Sequence, residues 1–218
     1  MKIIEQELAE KLQTLLLESA GKKEEGLAKK LDETVQEHIL SKLAQDPESY
    51  LQERLIAYEK QKKELDKILP LAYRNLYELL QDQGELEHLE YFIPKAEIDK
   101  VLAQASTKMR VLDFLQFKNS EKEFRKHIQE VQGFACLFSL LNQYSENAKI
   151  AYIRFKESSE ADIPKIDQCI ALCDEIAIIT SNLVRTKLRI LEDTVKQYNR
   201  FFRKEYHSPL LEILKDQS

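Results

Sequence analysis

The sequence predicts an all-α protein: an elongated helical bundle in which two long antiparallel C-terminal helices are covered by several shorter N-terminal ones. Three observations carry that prediction. Among 218 residues only four are Gly and five are Pro, too few breakers for the tight turns of an all-β chain. Hydrophobic residues make up 43% and charged residues 33%, the balance of long helices with one wet face. Apolar residues also recur at three- and four-residue steps along most of the chain.

The elements follow in order, with proline as punctuation. Leu8, Leu12, Leu15, Leu16 and Ala20 mark a first helix over about 2–20, and Gly21 and Gly26 bracket a charged turn. Leu27, Leu31, Val35, Ile39 and Leu43 mark a second helix, closed by Asp46 and Pro47, which serve the third as N-cap and first residue. That third segment is wholly polar from Glu59 to Glu64, a stretch expected to face water, and Pro70 either kinks it or starts a new helix. Beyond Gly84 lie a short apolar patch before Pro94 and a helix expected over about 95–117.

Ser120 and Glu123 have capping-box spacing and begin the first long helix. Its stripe of Phe124, Ile128, Val131, Ala135 and Phe138 is widened by Phe134, Leu137, Leu140 and Leu141 until it nearly encircles the helix. Residues 134–141 are therefore expected deep in a bundle, touched on more than one side. After a loop with Asp162 as cap, the second long helix is expected from Pro164 to about Tyr206, roughly 60 Å at 1.5 Å per residue. Cys173, Val184 and Val195 are spaced by eleven, which predicts a nearly straight pair rather than a tightly wound coiled coil. Ser208 and Pro209 open a short apolar tail. A division into residues 1–118 and 119–218, within one continuous domain, fits this pattern.

Charge and cysteine usage narrow the function classes. The net charge is −5 with both signs spread along the chain, no general case for nucleic acid. Cys136, Cys169 and Cys173 form no disulfide framework, and each reads as a small core residue. The acidic start, with Glu5, Glu7 and Glu10, offers no signal peptide, and no apolar run is long enough for a membrane span. A cytoplasmic, soluble protein is expected, with export by a signal-independent route left open.

Few residues suggest chemistry. Glu85 and His88 have the spacing of a metal-ligating pair, but no second pair accompanies them and a surface coincidence is the plainer reading. Cys169 and Cys173 share a helix face flanked by isoleucines, which reads as core. Asn142, Gln143, Tyr144, Thr180 and Asn182 interrupt apolar helices and are the candidates for a buried ligand pocket. No catalytic or phosphate-binding motif is present, and no catalytic residue, metal or other cofactor is expected. The remaining candidate is a basic, aromatic far end. Arg185, Arg189, Lys196, Arg200, Arg203 and Lys204 could form a surface for an anionic partner, with Tyr198, Phe201, Phe202 and Tyr206 interleaved. The plainer account is cations favouring a helix C-terminus and aromatics belonging to the core stripe. The acidic stretch 82–99 could dock that basic end, though a solvated connection is its simpler role.

These observations favour a non-enzymatic protein-interaction, scaffold or regulatory bundle, with a protein partner and a homodimer as one form. A membrane-surface or membrane-inserting protein is the first alternative. The long helices resemble BAR-type dimers in general shape, and helical toxins or secreted effectors are related cases. A helical ligand binder or enzyme is the second alternative, and nucleic acid the least favoured partner.

Overall fold

The computed structural model describes residues 4–19, 26–83, 96, 120–159 and 163–208. Among the described residues the chain is all-α, a helical bundle without strands. Its helices are α1 (Gln6–Ser19), α2 (Leu27–Gln45), α3 (Pro47–Gln83), α4 (Glu121–Ser158) and α5 (Pro164–Phe202). The Glu85/His88 pair, the Asp162 cap and the tail after Ser208 lie outside the described residues, as do the acidic stretch apart from positions 82, 83 and 96 and the helix expected over 95–117 apart from position 96.

The predicted punctuation sets the helix starts. Pro47 is the first residue of α3, and the Asp46 carboxylate accepts the Ser49 N–H at 3.1 Å. Ser120 Oγ accepts the Glu123 N–H at 3.3 Å, satisfying one of the amides that every helix start leaves over. Gly26 precedes α2 with φ 100°, a conformation that a Cβ resists. Pro70 neither breaks nor restarts its helix: α3 runs through it, although its ring leaves the carbonyl four residues back without an N–H. The second long helix ends at Phe202, short of the expected Tyr206. There Arg203 turns left-handed at φ 50°, and Asn199 Oδ1 takes the Tyr206 N–H at 2.9 Å.

Contacts divide the chain into two compact units, Met1–Asp66 with Ser139–Thr180, and Lys67–Phe138 with Ser181–Ser218. Each draws on residues from both sides of position 118, and each contains parts of α3, α4 and α5.

In the first unit α4 and α5 run antiparallel. Asn142 reaches the Ala177 carbonyl at 2.7 Å, Lys149 pairs with Asp174, and Lys156 meets Asp167 at 2.6 Å. Along α3 the order is parallel to α5, since Glu48 meets Lys165 at 3.6 Å and Lys62 meets Glu175 at 3.3 Å. Leu8 and Leu12 of α1 and Val35, Ile39 and Leu43 of α2 are buried with Leu51, Tyr58 and Leu65 of α3. On α5, Ile166, Cys173, Ala177 and Thr180 are buried.

The second unit has its own core. Tyr73, Leu76, Leu79 and Leu80 of α3 meet Phe124, Ile128 and Val131 of α4 and Ile190, Leu191, Val195 and Tyr198 of α5. Here too α4 and α5 are antiparallel, with Glu121 near Lys204 and Phe134 near Lys187.

Three expectations are corrected. The 134–141 stretch is covered on one side alone: Ala135, Phe138 and Leu141 are buried, while Phe134 is 51%, Leu137 39% and Leu140 37% exposed. An apolar band that encircles a helix needs neighbours on every side, and at these positions the described residues supply them to one face. Cys136, read as a core residue, is exposed for the same reason, whereas Cys169 and Cys173 are buried. Within the polar run 59–64, Gln61 is buried because it lies on the face that carries Tyr58 and Leu65, three before and four after it.

Candidate functional site

Two surfaces and two buried polar clusters hold the residues that could act on something else. In the second unit, Phe124, Ile128 and Val131 of α4 share a core with α5, and Ala135 and Phe138 continue the buried stripe. One turn apart beside that stripe, Phe134 and Leu137 are exposed, as are Gly133 and Cys136. The Phe134 ring stacks on Phe138, with centroids 6.3 Å apart and planes 20° from parallel. Lys187 of α5 reaches across to Phe134, its Nζ 5.4 Å from the ring centroid. Burial draws the Lys187 ammonium below the ordinary lysine range, because a charged amine loses water there. His127, two turns before Phe134, is also lowered: burial acts first and the Lys187 charge adds to it, against an opposing pull from Glu130.

The six cations expected to form an anionic-partner surface fall into two groups. Arg185, Arg189, Lys196 and Arg200 are four, seven and four residues apart and share one face of α5. On that face Arg185, Lys196 and Arg200 are exposed. Arg189 is half-buried and held by Glu192 at 3.1 Å and Asp193 at 3.3 Å, and Lys196 meets the same two carboxylates at 3.3 and 3.5 Å. Lys204 lies away from them, 2.6 Å from Glu121. Among the described residues Arg185, Arg200 and Arg203 are in no ion pair. The free charge on this end is thus smaller than the sequence count suggests.

The interleaved aromatics are gathered inward. Phe124 is met edge-on by Tyr198, Phe201 and Phe202 at 5.6–6.3 Å, and Tyr206 closes on Tyr198 at 5.5 Å. Arg125 lies over Tyr198 and Tyr206 and donates to the Tyr198 hydroxyl at 2.9 Å. Glu121 receives Lys204 at 2.6 Å, the Tyr198 hydroxyl at 2.7 Å and Arg125 at 3.1 Å. Those donors, Lys204 first, pull its carboxyl down to about 2.

Of the polar residues proposed for a pocket, Asn142, Gln143, Tyr144 and Thr180 have side-chain partners. Asn142 donates to the Ala177 carbonyl and to Thr180 Oγ1, and Thr180 donates back to Ile176. Gln143 and Asn147 share Asp32 Oδ1 at 2.8 and 2.6 Å, while the Asn182 carbonyl accepts from Thr186. Tyr144 joins a buried trio in which the Tyr58 hydroxyl lies 3.3 Å from that of Tyr144 and 2.8 Å from that of Tyr152. Burial pushes the Tyr144 phenol up to about 12, so the trio stays neutral.

Sequence periodicity gave no sign of the second buried cluster. Glu5, just before α1, receives Tyr50 at 2.7 Å and His38 Nε2 at 3.1 Å, with Arg54 at 3.7 Å. A carboxylate only accepts, so Nε2 carries the hydrogen. Burial alone would raise the Glu5 carboxyl, but the bonds from His38 and Tyr50 and the Arg54 charge hold it below its ordinary value. Beside it a polar cleft of about 380 Å³ opens between α1 and α2, lined by Glu7, Lys11, Glu37, His38 and Lys42 among others.

No group of three metal-ligating side chains occurs among the described residues, and no described helix is long and apolar enough to cross a membrane. The chain matches no known protein family, no curated protein and no solved structure.

Proposed function

We propose that this chain is a binding protein that docks another protein, a second copy of itself in the simplest case, through the α4 face bearing Phe134 and Leu137. The observation that supports this is the exposure of those two side chains, 51% and 39%, one helical turn apart. Adjacent large apolar groups left in water favour a partner that buries them. Self-association through one patch is isologous, so each copy supplies the same Phe134 and Leu137 to the other. Light scattering across a concentration series tests the reading. The wild-type mass should rise towards two chains, and Phe134→Glu with Leu137→Glu should hold it at one with the helical circular dichroism unchanged. A wild-type chain that keeps the mass of one copy, and that crosslinks to no protein in native extract through a photoreactive residue at position 134, overturns it.

A second reading is favoured by the exposed cations Arg185, Lys196 and Arg200 on one face of α5. Such a face suits an anionic membrane surface. Co-sedimentation with phosphatidylserine-containing vesicles, weakened by salt and by Arg185→Glu with Arg200→Glu, would support it. Equal recovery with neutral and anionic vesicles would dismiss it.

A further inference from the structure

The position of Lys187 sets it apart from the other described lysines of its unit that have a placed partner. Lys196 and Lys204 lie 2.6–3.5 Å from carboxylates, and Lys126 lies 3.7 Å from Glu130. Each of these three ammonium groups has a carboxylate beside it. Lys187 has no carboxylate partner among the described residues, is half-buried, and rests on the half-exposed ring of Phe134. The groups facing it from α4 are that ring and, further back, His127, which feels its charge. An amine in an apolar setting without an anion keeps more of its neutral, nucleophilic form. Burial lowers the Lys187 ammonium in that same sense.

We propose that Lys187 is a reactive amine that condenses with aromatic aldehydes, the adduct lying along the exposed part of Phe134 towards Leu137. The neutral Nζ attacks the carbonyl carbon and a proton passes from nitrogen to oxygen, giving a carbinolamine. Loss of that oxygen as water leaves the C=N bond of an imine, with no change of oxidation state. Offset stacking on Phe134 favours an aromatic aldehyde over an aliphatic one. The site does not depend on self-association, and the two ideas are read separately, one as mass in solution and the other as adduct mass on a single peptide.

The test is reductive trapping of benzaldehyde with cyanoborohydride at neutral pH, with each lysine quantified by peptide mass spectrometry. It is run on the wild type and on Leu137→Ser, which removes a docking contact while keeping Phe134 and Lys187. In Leu137→Ser, Lys187 should be labelled roughly tenfold faster than Lys196 or Lys126. Phe134→Ala should reduce that preference, propionaldehyde should show less of it, and urea should abolish it. Labelling of Lys187 in folded Leu137→Ser no faster than at the two reference lysines overturns the proposal. So does a preference that survives in urea, because it would then belong to the local sequence rather than to the fold.

Discussion

Glu5 precedes the first helix turn, yet its carboxylate serves three side chains on two other helices. His38 of α2 and Tyr50 and Arg54 of α3 all point at it. Glu5→Gln keeps the size but removes the charge, and leaves an amide NH₂ facing donors. Buried hydrogen bonds to a charged group lose more when one partner is removed than the bond itself contributes. The substitution should lower unfolding free energy by about 2–4 kcal/mol, measured by urea denaturation, and protection of α1 amides should fall most. A loss confined to a few tenths would mean that the cluster is solvated and carries little. The residue scale also separates the cations of α5. Arg185 and Arg200 are spendable on a partner, whereas Lys204 is committed to Glu121.

For the helices, Pro70 starts no new element and α3 is continuous across it. Pro70 lies inside it and offers no N–H to the carbonyl of Asp66, the last residue of the first stretch of unit one. Proline in a helix interior costs about 3 kcal/mol, so surrounding packing holds the helix together against it. Pro70→Ala restores the bond and should raise stability by about 1–3 kcal/mol, seen as a higher urea midpoint. A decrease would show that the proline ring itself is needed where it packs. In α5 the buried Thr180, Thr186 and Thr194 each return their hydroxyl to a carbonyl four residues back, at 2.6–2.7 Å. Such a return bond satisfies the hydroxyl within its own helix.

Across the molecule, acid sensitivity should come from carboxylates held low by their partners. Glu5 and Glu121 both sit below the ordinary 4.5, Glu121 at about 2. A depressed folded value means that the unfolded chain binds the proton more readily, so the stability from these groups is present above 4.5 and lost as pH falls towards 2. The thermal midpoint should therefore drop between pH 4.5 and pH 2 in the wild type. Glu121→Gln should flatten the lower part of that profile by removing the Lys204 and Tyr198 anchorage. A parallel profile in the variant would place the acid sensitivity elsewhere. The same charge change should leave the mass at neutral pH unaffected if docking runs through Phe134 and Leu137.

The sequence by itself determined the helical class, the caps at Asp46 and Ser120, the first residue of α3 and the stripe of α5. Each depends on neighbours within a few positions, where spacing and side-chain type are decisive. It also flagged the apolar band around Phe138, but periodicity reports that a helix is apolar and not how many sides its neighbours cover. Only the tertiary structure decided that Phe134 and Leu137 stay in water and that Gln61 does not. Likewise it alone paired Lys204 with Glu121 and set Lys187 over an aromatic ring. Those outcomes join residues from separate helices, in some cases more than eighty positions apart, and no local pattern encodes which distant side chain will arrive.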